Sequence, residues 1–182
     1  MKTQSTFLYI LKLALTLLII TAVVAAALGG VNSITAPIIE KINYEKTQAA
    51  IEAVLPGGGE ALESFTDNTG LVRKVYASET GYAIEVAPSG FGGDIVMMVG
   101  VIDGKVSGVS VISQVETAGL GAVIAAKTSA GEAFRDQFIG LSGQLAVSKD
   151  GGVVDSITSA TITSRAVTNG INAALKCAEN LG

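Results

Sequence analysis

The chain has 182 residues, with 12 lysines and arginines against 16 aspartates and glutamates, no histidine and one cysteine. It therefore has, within itself, no Ser-His-Asp triad, no histidine metal centre, no c-type haem attachment, no cysteine-held iron–sulfur cluster and no disulfide framework. Apolar residues make up 49% and charged ones only 15%, which excludes a disordered chain; the acidic balance excludes a nucleic-acid partner, and any redox work must come from an organic cofactor.

Residues 7–28 form an apolar run whose one charge is Lys12. That is long enough to cross a hydrocarbon core, which takes about 20 residues. Lys2 and Lys12 precede the run's uncharged part, and no base follows until Lys41. This asymmetry predicts a single-pass anchor with a cytoplasmic N-terminus and an extracytoplasmic remainder. Ala25-Ala26-Ala27 also offers a signal-peptidase site, so a cleaved secretory leader is the competing reading. Residues 31–182 hold ten bases and all sixteen acids, a net charge of −6.

A second helix is expected from Thr35 as N-cap, with Pro37 in its first turn and Ile38, Ile42, Ala49 and Ala53 on one face. Pro56-Gly57-Gly58-Gly59 ends it. The organisation predicted is an anchor over residues 1–30, a helical stalk over 31–58 and a domain over 59–182.

Strand-type runs follow at 71–77 and 82–86, separated by the turn Ser78-Glu79-Thr80-Gly81. After a glycine-rich turn at 88–93, residues 95–102 are continuously apolar, as in a strand covered on both faces. Asp103-Gly104 is a two-residue hairpin turn, with 105–112 as the partner strand. A short helix is expected at 132–139, its Phe134 and Phe138 serving the core, then a weak strand at 145–147 and a turn at 149–152. The fold class is α+β: one transmembrane helix, then a small antiparallel sheet with packed helices.

The last segment carries the chemistry. Ser156, Thr158, Ser159, Thr161, Thr163, Ser164 and Thr168 crowd the approach to a final helix whose Val167, Gly170, Ile171, Ala174, Leu175 and Ala178 share one face. Such residues usually serve turns and caps, and Thr163 or Ser164 is the natural N-cap. The positive end of the helix dipole also suits an anion, which puts Thr161 where a phosphate would be stabilised.

The run Thr158-Ser159-Ala160-Thr161-Ile162-Thr163-Ser164 resembles the flavinylation motif, Ser/Thr-Gly-Ala-Thr, of the FMN-binding domain family found in membrane-bound Rnf and Nqr electron-transport complexes; the usual glycine is Ser159. Residues 92–106 resemble that family's central hairpin. Glu116-Thr117-Ala118-Gly119-Leu120-Gly121 is similar to its Glu-Thr-Pro-Gly-Leu-Gly loop, with Ala118 for proline and Gln114 for a frequent preceding histidine. The three ordered blocks span roughly residues 80–178, and the layout favours the Rnf-type member over its Nqr-type sibling.

The resemblance implies FMN joined by a phosphoester to Thr161. Thr158, Ser159, Ala160, Thr163, Glu116, Thr117, Gly119 and Leu120 would lie around it. It implies an electron carrier working with other integral membrane subunits of the Rnf complex, matured by a separate flavin transferase of the ApbE type. The carrier is no complete enzyme alone. The remaining alternatives are an Nqr-like subunit, an FMN module serving another reductase, and an anchored structural domain in which Glu116 is a solvated strand-end carboxylate and the hydroxyls are only caps.

Overall fold

The computed structural model describes the backbone of residues 2–182 and side chains from Phe7 onward, so the Lys2 side chain invoked above lies outside the described residues. The chain divides into two compact units, Met1–Glu45 and Lys46–Gly182.

The first unit is helical. Helix α1 (Lys2–Val54) runs through Pro37 without a break. Thr35 therefore does not start a new helix. Its Oγ1 instead donates to the Val31 carbonyl at 2.9 Å, as Thr16, Thr21 and Ser33 do to carbonyls one turn earlier. A hydroxyl that bonds back along its own helix hides its polarity, which suits an apolar surrounding. Leu13, Leu17, Ile20, Val24 and Leu28 are all exposed, and the helix is long and apolar enough to cross a membrane.

The second unit has the expected α+β architecture. Strands β1 (Glu60–Ala61), β2 (Val72–Ala77), β3 (Tyr82–Val86), β4 (Val96–Ile102) and β5 (Lys105–Ser113) form one antiparallel meander in sequence order. Helices α2 (Ser129–Asp136) and α3 (Thr161–Leu181) follow.

Side chains alternate across the central strands, and both sets are buried. Ile84, Val86, Met97, Val99 and Val101 join the main core with Val167, Ile171, Ala174 and Leu175 of α3. Ala83 and Met98 point the other way, packing with Ile51, Val54 and Leu55 at the end of α1. Two covered faces explain why β4 reads as a continuous apolar run. Ser107 Oγ donates to the Val54 carbonyl at 2.5 Å and fixes that helix end against the sheet. Cys177 is buried in the main core, where desolvation first and the charge of Asp67 second push its thiol up from the ordinary range.

Three further expectations are corrected. Helix α2 begins earlier than residue 132, at Ser129, because Thr128 caps it by accepting from Gly131 N; Phe138 lies beyond its end, still edge-to-face with Phe134 at 5.5 Å. Residues 145–147 make only one parallel bridge, Val147 to Val154, because Leu145 gives its N–H and carbonyl to the Asn172 side chain instead, both at 2.8 Å. Helix α3 begins at Thr161, with Ala160 in the N-cap position and no side-chain cap, so neither Thr163 nor Ser164 is the cap.

Candidate functional site

The first turn of α3 is set by its neighbours. Ser164 is buried and works in both directions: its Oγ donates to the Ala160 carbonyl and accepts from Ile157 N, each at 3.0 Å. This closes the turn before the helix from inside. Ser159 completes it with φ +63°, the left-handed conformation that glycine adopts without penalty. The backbone shape expected of a glycine is thus kept at a serine.

Upstream, Asp155 N donates to Gln137 Oε1 at 2.7 Å and Gln137 Nε2 returns a bond to the Asp155 carbonyl. Arg135, on α2, donates to the carbonyls of Ile124 and Ala126. Helix α2 thereby holds the 3-10 turn Gly121–Ala125 on one side and the entry to α3 on the other.

The loop after β5 then meets the first turn of α3 through Glu116. That carboxylate is buried, which corrects the solvated alternative. Its Oε1 accepts from Gly92 N at 2.8 Å and its Oε2 accepts a short hydrogen bond from Thr163 Oγ1. Burying a carboxylate is tolerated only with such partners. The fit leaves no room for side chains beside it: a Cβ at Gly90 would collide with Oε1, and one at Gly121 would collide with Oε2 and lie 2.6 Å from Thr163 Oγ1.

Around this junction lies a cavity of about 340 Å³ lined by Phe91, Glu116, Thr117, Leu120, Gly121, Ser159, Ala160, Thr161, Ile162 and Thr163. Seven of the residues singled out from sequence converge there: Glu116, Thr117, Leu120, Ser159, Ala160, Thr161 and Thr163. Gly119 and Thr158 do not; they line a neighbouring, more open hollow with Phe134, Gln137 and Ser156. Phe91 and Ile162 escaped sequence reading. An aromatic set between glycines in a polar turn was the available signal for Phe91, which is 70% exposed at the cavity mouth.

Thr161 Oγ1 accepts a hydrogen bond from Lys149 Nζ at 2.8 Å. Lys149 lies in the 3-10 turn Ser148–Asp150, and the next residue, Asp150, takes a two-point grip on Arg165: Nε to Oδ2 and Nη2 to Oδ1, both 2.6 Å. The Arg165 hydrogen bonds hold Asp150 below the ordinary carboxylate range, and Asp150 raises the guanidinium in return. Among the described residues, no group of three or more Cys, Asp or Glu side chains is placed to hold a metal ion.

Residues 90–176, which include every cavity-lining residue, match the family model described as FMN-binding domain. The G subunit of the Na(+)-translocating ferredoxin:NAD(+) oxidoreductase complex of Acetobacterium woodii is 32% identical, over 99% of this chain and 97% of its own length. The chain belongs to the RnfG family. Other members of that family similar to it come from the ion-translocating oxidoreductase complexes of two further organisms. The G subunit of Methanosarcina acetivorans is 28% identical over 91% of this chain and 93% of its own length, and that of Stutzerimonas stutzeri 32% identical over 90% and 78%. The RnfG match reaches well beyond the FMN-binding domain, so it takes in the long N-terminal helix as well.

Proposed function

We propose that this RnfG-family chain is the FMN-carrying, membrane-anchored electron-transfer subunit of an ion-translocating ferredoxin:NAD oxidoreductase, with the flavin phosphate esterified to Thr161. The observation that carries the reading is the cavity that joins the Glu116–Gly121 loop to the turn around Thr161, two segments distant in sequence.

The residues present fit the group. Phe91, Leu120, Ala160 and Ile162 offer apolar surface to a planar ring, while Thr117 offers a polar contact at its edge. Thr161, partly buried at the first position of α3, exposes its hydroxyl beside an ammonium. Bound FMN would supply the electron-transfer chemistry. The chain's own part is to hold it: the Glu116 junction fixes the cavity walls, and Thr161 supplies the acceptor oxygen.

Threonine is not acidic, so the base and metal for the transfer belong to a separate flavin transferase of the ApbE type. A covalent tether suits a site outside the cytoplasm, where a released flavin is diluted away but a tethered one rebinds intramolecularly.

The arrangement proposed is an anchor over residues 1–30 with its N-terminus in the cytoplasm, a stalk over 31–58 whose last residues pack under the sheet, and an extracytoplasmic domain over 59–182. Electrons pass between this domain and the other integral membrane subunits of the complex.

The test is denaturing electrophoresis of the full chain produced with a flavin transferase and viewed under ultraviolet light. A fluorescent band is expected for the wild type and for Thr163→Val and none for Thr161→Val. A fluorescent Thr161→Val band moves the attachment elsewhere, and a dark wild-type band removes it.

A further inference from the structure

We infer that Lys149 is a positioning residue for the modification of Thr161: its ammonium orients the acceptor oxygen and then serves as counter-ion to the phosphodiester formed there. This rests on reading Thr161 as the attachment point.

The contact is specific. Lys149 Nζ donates to Thr161 Oγ1 at 2.8 Å, and the turn that carries the lysine is closed by Gly151 N to the Ser148 carbonyl and Gly152 N to the Val147 carbonyl. The turn is also locked to the helix it faces, because Asp150 grips Arg165, one helical turn beyond Thr161 and on the same side. Backbone and target are thus fixed, and only the lysine stem remains to be ordered.

Both oxygens of Asp150 are engaged by Arg165, and among the described residues no carboxylate lies within ion-pair distance of Lys149 Nζ. A neutral threonine oxygen is a weak partner for an ammonium compared with an anionic phosphate oxygen. Esterification would deliver one negative charge beside the atom that Lys149 already touches.

The step balances as a phosphoryl transfer. Thr161 Oγ attacks the phosphorus of the FMN half of FAD and an Oγ–P bond forms. The bond from that phosphorus to the bridging anhydride oxygen breaks, AMP leaves with the electron pair, and the hydroxyl proton passes to a base of the transferase. Nothing is oxidised or reduced. Lys149 exchanges no proton. By donating into one lone pair of Oγ1 it leaves the other to meet phosphorus, and its charge offsets the negative charge gathering on the phosphate oxygens.

The experiment follows initial rates of flavin attachment, by in-gel fluorescence, for detergent-solubilised full chain with a flavin transferase and FAD. Lys149→Gln is expected to react about tenfold more slowly than wild type, the loss of one charge-assisted hydrogen bond. Lys149→Arg is expected to restore most of the rate, and added salt to slow the wild type more than Lys149→Gln. Circular dichroism melting checks that each variant is folded. A Lys149→Gln rate equal to wild type, with Thr161→Val dark, overturns the role of Lys149 and leaves the attachment standing. So does a folded Lys149→Arg as slow as Lys149→Gln. A dark wild type, or a bright Thr161→Val, removes the attachment reading and this inference with it.

Discussion

Thr163 Oγ1 donates a hydrogen bond to Glu116 Oε2 across 47 residues of chain, so one buried contact fastens the loop after β5 to the first turn of α3. The threonine that the sequence offered as a helix cap is spent on holding a carboxylate. In Thr163→Val that carboxylate keeps only Gly92 N and stays buried, which is expected to cost about 1–3 kcal/mol. Urea denaturation of the detergent-solubilised chain reads this directly. A double-mutant cycle with Glu116→Gln should return a coupling of similar size, and additive losses would mean the two side chains do not act as a pair.

The same junction makes Gly121 a steric requirement. A methyl group there collides with Glu116 Oε2 and comes within 2.6 Å of Thr163 Oγ1, both on side chains already fixed by their mutual bond. Gly121→Ala is expected to destabilise by roughly 1–3 kcal/mol and to reduce flavin fluorescence in the folded fraction. Unchanged stability would show that the loop can back away from α3.

The sheet was legible because its signals are local. Asp103-Gly104 fixed one hairpin and Ser78-Glu79-Thr80-Gly81 another, and the apolar run of β4 announced cover on both faces. The convergence of the Glu116 loop with the turn at Thr161 came from resemblance to known motifs; composition and spacing alone left it open. Burial of Glu116 was not legible, since its partners, Gly92 N and Thr163 Oγ1, lie far off in sequence and one is backbone. Lys149 read as one more turn residue for the same reason: a lysine's target is set by the tertiary path of the turn, which no periodicity encodes. Thr35 and Pro37 mimic a helix start, yet α1 carries both in its interior, with Thr35 Oγ1 bonded back to the Val31 carbonyl instead of capping a new helix.

Ser159 is the place where a substitution should help. It sits at φ +63°, where a side chain costs about 1–2 kcal/mol, and glycine there loses part of that gain to a more flexible unfolded chain. Ser159→Gly is therefore expected to raise stability by up to about 1 kcal/mol and to leave attachment at Thr161 intact. Ser159→Val, β-branched and strained at positive φ, should do the reverse on both counts. Melting temperature and in-gel fluorescence of the two variants provide the check, and a Ser159→Gly chain that melts below wild type would argue for an unrecognised role of the hydroxyl.

The Asp150–Arg165 pair gives the site a defined response to acid. Arg165 lowers the pKa of Asp150 in the folded chain below its ordinary value, so the contribution of the pair is complete above the unfolded pKa of about 3.9 and is lost as pH falls through the lower folded value. Between neutral pH and about pH 5 the grip on α3 should be constant, and the pair is exposed enough that global stability should change little. The local consequence is sharper, because Asp150 adjoins the lysine that reaches Thr161. Carbon-detected NMR of the Asp150 carboxyl should show a midpoint below the ordinary aspartate value in the wild type, shifted upward in Arg165→Gln. Asp150→Asn at neutral pH should loosen the Ser148–Asp150 turn, seen as lower amide protection there relative to the unstructured rate at the same pH, and acid should lower the same protection in the wild type. An Asp150 midpoint unmoved by Arg165→Gln would mean that the guanidinium is not its partner in solution, and that the turn beside Thr161 is held by its backbone bonds alone.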